Sequence, residues 1–396
     1  MKYFFLLGTN QAISVAELQV VLQTNNFDLL KNDNVCIFES DSEVQVNELI
    51  RRLGGTIKIG IILNENIKKD DLSNYIKDYL KPTEGKFKFG ISVTKKYGID
   101  ISKLAMEIKK YLKEKGQNSR WVIGKEPILS SVIVEQNKLT SKGVEISIFK
   151  DSNGFMFGKT LAVQAFKELS FRDYNRPARD DKSGMLPPKL AQIMLNLSEI
   201  KDNHILLDPF CGSGTIISEA ILMGHKNIIA SDASPKAVID TKENTKWLID
   251  NFNTKNISLS NSDLELQIIQ ENVKTIAKRL GANSIDRIAT EPYLGPQRGT
   301  IDIKRVLKEL NELYSLSLKQ FDKILKNKGR IIMIWPIRLQ AKKKYFLDPD
   351  LGNFHIINPL DDNLNKKFDA QISTRKTLIY GRPGQKVWRE IIILEK

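Results

Sequence analysis

The 396-residue sequence has few of the side chains from which disulfides and metal centres are built. It contains two cysteines, Cys36 and Cys211, and three scattered histidines, His204, His225 and His355. Neither a disulfide framework nor a four-ligand zinc site can be assembled from this set, and we expect no metal in the functional site.

Long hydrophobic runs are missing as well. The apolar run from Tyr3 to Leu7 is shorter than the roughly 7–15 residues of a signal-peptide core. No run approaches the roughly 20 apolar residues of a membrane span. We therefore expect residues 3–7 to form a buried strand, and the protein to be cytoplasmic and without membrane contact.

Positive charge is abundant. Lys plus Arg number 61 and Asp plus Glu 47, which gives a formal net charge of +14. The excess is shared, at +6 in residues 1–180 and +8 in residues 181–396. A chain of this charge is attracted to polyanions such as nucleic acid. Charge alone is equally compatible with a basic protein that has no such partner.

Strand-like and helix-like stretches alternate along the first 160 residues. Ser14 and Glu17 have the spacing of a capping box and predict a helix from Ser14. Further helices are predicted over 71–80 and 102–114, and strands over 3–7, 35–38, 56–63, 86–94, 128–135 and 144–150. This order predicts an α+β fold for the front of the chain.

Residues 160–190 are dense in charge, Pro and Gly and predict a domain boundary. Beyond them a strict β-then-α order predicts a doubly wound parallel sheet. Its strands are predicted over 204–210, 227–232, 257–260, 287–290 and 330–335, with helices from Thr215, Pro235, Asp263 or Leu264, and Asp302. Strands predicted over 354–358, 376–380 and 387–394 add an antiparallel terminal hairpin.

The sequence LLDPFCGSGT, residues 206–215, lies where a strand turns into a helix. Gly212 and Gly214 permit positive φ and let the backbone approach a ligand closely. The spacing is not GxGxxG, which argues against a dinucleotide pyrophosphate. Asp232 ends the next strand, where a carboxylate can accept hydrogen bonds from both ribose hydroxyls. An adenosyl group fits this pattern.

Asp263, in NSDLE, is predicted to follow the third strand. It is placed to accept a hydrogen bond from an adenine amino group. A helix N-cap is the alternative, and both roles are compatible.

The DPFCGSGT segment resembles the first motif of S-adenosylmethionine-dependent methyltransferases of the Rossmann-like class, in particular the amino-methyltransferases. The resemblance spans about residues 183–394 and implies S-adenosylmethionine as cofactor. Asp232 would then hold the ribose and Asp263 the adenine. The methionine and ribose would be surrounded by Asp208, Pro209, Phe210, Gly212 and Gly214.

The fourth predicted strand ends in ATEPYLGP, residues 289–296, where that family has D/N-P-P-Y/F/W. Methylation of an exocyclic amine needs an acceptor for its N–H bonds and an aromatic ring that clamps the base. The candidate catalytic residues are Thr290, Glu291, Pro292 and Tyr293. Alignment on the tyrosine gives Thr290 the Asp/Asn position, whereas alignment on Gly295 gives it to Glu291. The sequence leaves open which of the two supplies the acceptor.

The order of segments resembles the THUMP-containing RNA methyltransferases. The resemblance rests on MKYFFLLGTNQAISVAEL at the start and on FRDYNRPARDDKSGMLPPKLAQIMLNL at the boundary. It implies a ferredoxin-like part over 1–65, a THUMP-like RNA-binding unit over 66–160, a linker over 161–182 and a methyltransferase domain over 183–396.

This family methylates guanosine N2 in tRNA, notably at position ten, so the resemblance implies tRNA as partner. Candidate phosphate contacts are Lys86, Lys88, Lys95, Lys96, Arg120, Lys159, Arg172, Arg176 and Arg179. Alternatives are a ribosomal RNA guanine-N2 methyltransferase, a DNA amino-methyltransferase, and a tRNA-binding protein with a degenerate site. The number of methyl groups added and a partner subunit stay open.

Overall fold

The computed structural model describes residues 1–30, 33–81, 85–95, 97–179, 185–252, 264–297, 301–341 and 343–396. The chain divides into two compact units. The first contains residues 1–9 and 24–167, and the second contains residues 10–23 and 168–396.

The first unit is built on one eight-stranded sheet. Its strands are β1 (Lys2–Leu7), β2 (Asp28–Leu30), β3 (Val35–Glu39), β4 (Thr56–Ile67), β5 (Phe87–Val93), β6 (Ser119–Val122), β7 (Gly143–Lys150) and β8 (Phe155–Val163), and its helices are α2 (Val46–Arg52), α3 (Leu72–Tyr79), α4 (Ile101–Glu114) and α5 (Ser131–Gln136). The strand order is β2-β3-β1-β4-β8-β7-β5-β6. Segments 1–65 and 66–160 therefore contribute strands to a single sheet.

An ion pair lies inside this sheet. Lys58 on β4 and Glu145 on β7 are 1% and 0% exposed, and Lys58 Nζ lies 2.5 Å from Glu145 Oε1. Ser92 and Thr160 donate hydroxyl hydrogen bonds to the same carboxylate at 2.5 and 2.6 Å. Every polar group of the pair thus has a partner, which a buried charge requires.

One predicted strand in the first 160 residues is wrong. Residues 128–135, predicted as a strand, contain the start of α5, because Ser130 caps it by accepting a hydrogen bond from the Ile133 N–H at 3.3 Å. The segment 161–182, expected as a linker, contains the end of β8 and the helix α6 (Phe166–Tyr174), and the boundary between the two units falls within it.

The second unit has a nine-stranded sheet with helices around it. Its strands are β9 (Ile205–Asp208), β10 (Asn227–Asp232), β11 (Glu265–Gln270), β12 (Ile285–Thr290), β13 (Leu325–Gln340), β14 (Lys343–Tyr345), β15 (His355–Ile356), β16 (Leu378–Tyr380) and β17 (Val387–Glu395). Its remaining helices are α1 (Gln11–Leu22), α7 (Pro188–Leu197), α8 (Thr215–Leu222), α9 (Pro235–Asn251), α10 (Ile276–Leu280), α11 (Ile303–Ile324) and α12 (Asp362–Lys367).

The strand order β11-β10-β9-β12-β13-β17-β15 confirms the expected α/β fold class. Strands β11, β10, β9, β12 and β13 pair in parallel, whereas β17 pairs antiparallel with β13 and β16. The parallel sheet with an antiparallel terminal hairpin is therefore present. The carboxyl ends of β9, β10 and β12 meet at one edge, where ligands bind in open α/β sheets.

The third strand of the parallel set differs from expectation. Residues 265–270 form β11 rather than the predicted helix, because they pair in parallel along the whole of β10. The expected strand 257–260 and Asp263 lie outside the described residues. The carboxyl end of the third strand carries Gln270, which pairs with Asp232.

Helix α1 departs from sequence order. It begins at Gln11, before the predicted Ser14, and belongs to the second unit. There Asn196 Nδ2 on α7 donates a hydrogen bond to Glu17 at 2.7 Å, and Gln371 accepts one from the Ala12 N–H at 2.9 Å. In the described part of the chain, no helix combines the length and the apolar character of a membrane span.

Candidate functional site

The turn between β9 and α8 forms one wall of the candidate site. Strand β9 ends at Asp208, and Gly212 and Gly214 adopt φ values of +53° and +80°. A Cβ at Gly214 would lie 3.0 Å from Thr241 Cγ2, so both conformation and space require glycine there. The turn keeps its backbone N–H groups at the start of α8, where an anionic or polar ligand is favoured.

Helix α9 holds this turn from the other side. The Thr241 hydroxyl donates a hydrogen bond to the Gly212 carbonyl at 2.9 Å. Asn244 Nδ2 donates to the Ser213 carbonyl at 2.8 Å. These bonds satisfy two carbonyls of the turn that precedes α8, and they fix the glycine turn in one conformation.

Asp232, at the end of β10, faces the same turn. Its Oδ2 accepts a hydrogen bond from the Gly212 N–H at 3.1 Å, and its Oδ1 accepts one from the Ser234 N–H at 2.9 Å. Each carboxylate oxygen keeps acceptor capacity after this single bond. These two bonds therefore orient the Asp232 carboxylate, which can still accept hydrogen bonds from two hydroxyl groups.

Asp208 is buried at the end of β9, and the Thr290 hydroxyl donates a hydrogen bond to it at 2.7 Å. Burial raises the pKa of Asp208 to about 7, although the hydrogen bonds from Thr290 and the Phe210 N–H oppose the shift. The nearby carboxylates of Asp232 and Glu291 raise this pKa further. A cation bound beside Asp208 would favour its ionised form.

Glu291 follows β12 directly and is held by the last strand of the sheet. Arg389 Nε and Nη2 on β17 donate to its two carboxylate oxygens at 2.6 and 3.2 Å. Burial lowers the pKa of Arg389, but the Glu291 carboxylate outweighs burial and raises it above its ordinary value. The bidentate pair fixes the plane of the carboxylate.

Residues 292–296 present one aromatic ring to solvent while the backbone around it is anchored. Tyr293 is 56% exposed. The hydroxyl of the buried Tyr314 donates to the Tyr293 carbonyl at 3.3 Å. The buried Arg338 donates to the carbonyls of Leu294 and Pro296 at 2.5 and 2.6 Å. The ring is thus exposed on a rigid support.

These elements enclose a cavity of about 960 Å³ in the second unit. Asp208, Phe210 and Gly212 line it from the β9 turn, and Asp232 lines it from β10. The opposite wall is formed by Glu291, Pro292, Tyr293, Leu294 and Gly295. A cofactor and the edge of a base can meet between two carboxylate-bearing walls.

Seven of the predicted site residues line this cavity: Asp208, Phe210, Gly212, Asp232, Glu291, Pro292 and Tyr293. Gly214 lies in the same turn as Gly212, and Asp263 lies outside the described residues. Pro209 is buried between two residues that line the cavity. Thr290 is 0% exposed and turned toward Asp208. Sequence reasoning missed Arg389, Arg338 and Tyr314, because they come from strands and a helix distant in the chain and carry no local motif.

Two candidate phosphate contacts are contradicted by burial. Arg172 is 7% exposed and pairs with Glu219 at 2.6 Å. Arg176 is 6% exposed and donates to the Thr215 hydroxyl at 2.6 Å. Both side chains therefore hold α8, Arg176 at its first residue and Arg172 at Glu219, instead of facing a bound nucleic acid. Lys96 lies outside the described residues.

Two family models match the sequence. The model described as an RMKL-like methyltransferase domain matches residues 176–348. The model described as DNA methylase matches residues 21–246, which is more than half of the chain.

Curated relatives were also found. A tRNA (guanine(10)-N2)-dimethyltransferase of Methanocaldococcus jannaschii is 28% identical over 204 residues, which cover 50% of each chain. An enzyme of the same name from Pyrococcus abyssi is 24% identical over 86% of this chain and 90% of its own. The chain spans about half the length of the first of these relatives.

Among solved structures, TrmN from Thermus thermophilus matches with a TM-score of 0.53 and 15% identity, covering 100% of both chains. At this identity the likeness concerns the fold.

Proposed function

We propose that this chain, which belongs to the DNA methylase family whose model matches residues 21–246, methylates the exocyclic N2 amine of a guanosine in tRNA. S-adenosylmethionine is the cofactor. The observation that carries the proposal is the placement of Glu291. Arg389 holds its carboxylate in the cavity wall, two residues from the exposed ring of Tyr293. An acceptor and a stacking ring are what amine methylation requires.

The cofactor fits the wall formed by the β9 turn and Asp232. We assign the ribose hydroxyls to the Asp232 carboxylate, whose two oxygens each keep acceptor capacity. Asp208 stands beside them as a buried carboxylate that favours a cationic ligand. When bound there, S-adenosylmethionine supplies an electrophilic sulfonium methyl group. The adenine contact assigned to Asp263 stays a proposal from the sequence.

The base fits the wall formed by residues 291–295. Glu291 accepts an N–H of the exocyclic amine, which localises the nitrogen lone pair, and Tyr293 stacks on the flipped base. The anchored backbone around Tyr293 keeps ring and carboxylate in fixed relation. We assign the acceptor role to Glu291 and not to Thr290, because Thr290 donates its hydroxyl to Asp208.

We further propose guanosine 10 as the target and two methyl transfers, following the names of the curated relatives. The first unit, with its exposed Lys86, Lys95 and Arg120, is assigned the THUMP-like role of holding tRNA through phosphate contacts. A DNA amino-methyltransferase is the competing function, which the match to the DNA methylase model favours.

The test is transfer of labelled methyl from S-adenosylmethionine to total tRNA, with ribosomal RNA and DNA run in parallel, followed by nucleoside analysis. We expect N2-methylguanosine and N2,N2-dimethylguanosine in tRNA alone. A tRNA transcript with guanosine 10 replaced by adenosine should lose the label. Label in DNA or ribosomal RNA alone would replace the proposal by one of its alternatives. Binding of cofactor and tRNA without transfer would indicate a non-catalytic role.

A further inference from the structure

A basic surface lies on the second unit at the end of the sheet where the cavity opens. Residues 323–347 and 370–389 contain no Asp or Glu. Four of the exposed cations in these ranges lie where β13 turns into β14 and between β16 and β17, whereas others, such as Lys323 and Lys328, lie near the start of β13. We name this set the hairpin surface: Lys343, Lys344, Arg382 and Lys386. Lys342, in the same run, lies outside the described residues.

The backbone joins these two turns into one surface. Strand β14 folds back on β13, with Gln340 opposite Lys343, and Arg338 on β13 is opposite Val387 on β17. The Leu339 N–H donates a hydrogen bond to the Lys386 carbonyl at 3.0 Å. The cations of both turns are therefore carried by a continuous, paired sheet edge.

Trp388 supports the side chains of this surface. Its Nε1–H donates to the Arg382 carbonyl at 3.0 Å, and Lys344 Nζ lies 4.9 Å from the centre of its ring. A Cβ at Gly381 would lie 2.2 Å from the indole, so glycine admits the ring. A lysine over an aromatic face is restricted in direction but keeps its charge.

The charge of the hairpin surface is not neutralised within the described residues. None of its four cations has a carboxylate within ion-pair distance there, in contrast to Arg375, which precedes β16, and Arg389 on β17. Burial, and then the nearby Arg382 guanidinium, lower the pKa of Lys189 on α7. A lowered pKa is expected for a cation that lies beside another cation.

The hairpin surface is continuous with the catalytic segment. Arg389, which holds Glu291, is three residues from Lys386, a distance of about 10 Å along a strand. Arg338, which holds Leu294 and Pro296, pairs with the residue next to Lys386. The strands β13 and β17, which border the hairpin surface, therefore also carry the arginines that hold residues 291–296.

On this basis, and resting on the proposed function, we propose that the hairpin surface binds phosphates of the RNA strand flanking the target nucleotide. The contact is electrostatic and independent of base identity, because lysine and arginine heads meet phosphates without reading base edges. The second unit would thus bind the substrate strand itself, in addition to any binding of tRNA by the first unit.

The test is the double variant Lys344→Gln and Lys386→Gln in the full chain, with tRNA as probe. The KM for tRNA should rise roughly 3- to 10-fold, with kcat and the Kd for S-adenosylmethionine unchanged. The slope of log KM against log salt should become shallower by about 1.4, since each single-strand contact contributes roughly 0.7. Lys201→Gln with Lys323→Gln is the matched control, because both lysines are exposed at the opposite edge of the sheet.

Several outcomes overturn the proposal. An unchanged salt slope would show that the hairpin surface does not meet phosphate, whatever happens to KM. An equal change in KM and salt slope in the control pair would show that the effect comes from the lower net charge of the protein and not from the hairpin surface. Absence of methyl transfer by the wild type would contradict the proposed function and not the role of the hairpin surface. In that case the salt slope of tRNA binding, measured by filter retention for the wild type and the double variant, would decide whether the surface binds phosphate.

Discussion

Glu145 in the first unit and Glu291 in the second are both paired with a cation from another strand of their sheet. Glu145 is 0% exposed, lies in mid-strand and accepts from Lys58, Ser92 and Thr160. Glu291 is 11% exposed, follows the end of β12 and lines a cavity. The Glu145 carboxylate has all its hydrogen-bond partners within the protein, whereas the Glu291 carboxylate is also accessible from the cavity.

The position of an ion pair in a sheet therefore decides whether it contributes to stability alone or is also available to a ligand. An ion pair inside a sheet must be fully satisfied, and loss of one partner leaves an uncompensated charge. An ion pair at the carboxyl edge of a parallel sheet can spend part of its hydrogen-bonding capacity on a substrate. Three substitutions and two pH dependences test this comparison.

Lys58→Ala should destabilise the first unit by about 3–5 kcal/mol, because it leaves the buried Glu145 charge without its cation. Thermal and urea unfolding measure the loss. Lys2→Ala is the control, since Lys2 pairs with Glu65 at the surface and should change stability by less than about 1 kcal/mol. Equal effects of the two variants would refute a structural role for the buried pair.

Glu291→Ala should lower kcat for methyl transfer to tRNA by roughly 100- to 1,000-fold, because the acceptor for the amine is lost. The KM for tRNA and cofactor binding should change little. Glu395→Ala, which removes one of the two carboxylate partners of Arg330 at the other end of β17, should keep wild-type kcat. If Thr290→Val abolished activity while Glu291→Ala retained it, Thr290 would be the acceptor.

Arg389→Gln should lower kcat roughly 10- to 100-fold with little change in KM, because the Glu291 carboxylate loses its orientation. Arg389→Lys should recover part of the rate, since one charged hydrogen bond is restored. Steady-state kinetics separate the two parameters, and Arg330→Gln serves as control. A change confined to KM would assign Arg389 to substrate binding.

The pH dependence of cofactor binding should report on Asp208. With a pKa of about 7, this carboxyl is protonated below pH 7 and ionised above it. The affinity for cationic S-adenosylmethionine should therefore rise roughly 3- to 10-fold between about pH 6 and pH 8. Calorimetry measures this rise, which should be absent in Asp208→Asn and smaller for the neutral thioether product.

The same group makes a prediction of opposite sign for the protein without cofactor. The folded pKa of Asp208 lies above its ordinary value of 3.8, so ionisation opposes folding. Its contribution to the free energy of unfolding should fall as pH rises from about 4 to about 7. Asp208→Asn should remove this part of the pH dependence.

Local signals were sufficient where one segment determines its own structure. Residues 227–232 were predicted as a strand and form β10, and the helix predicted from Pro235 begins there with Ser234 as its cap. Both depend on a short apolar run and on capping chemistry, which are read from neighbouring residues.

Prediction failed where a distant partner decides the structure. Residues 265–270 form a strand because β10 offers an edge to pair with. Residues 128–135 are rich in β-branched residues, yet the Ser130 cap and the burial of Val134 produce a helix. Short apolar runs do not distinguish the two structures.

The sequence by itself determined the α/β fold class, the glycine turn at Gly212 and Gly214, and the position of Asp232, because turn and strand-end chemistry are local. The separate partners of Thr290 and Glu291 become visible only in the tertiary structure. Thr290 meets Asp208 and Glu291 meets Arg389 across 82 and 98 residues of chain. Contacts of that separation exist only after the strands have paired, which no local pattern encodes.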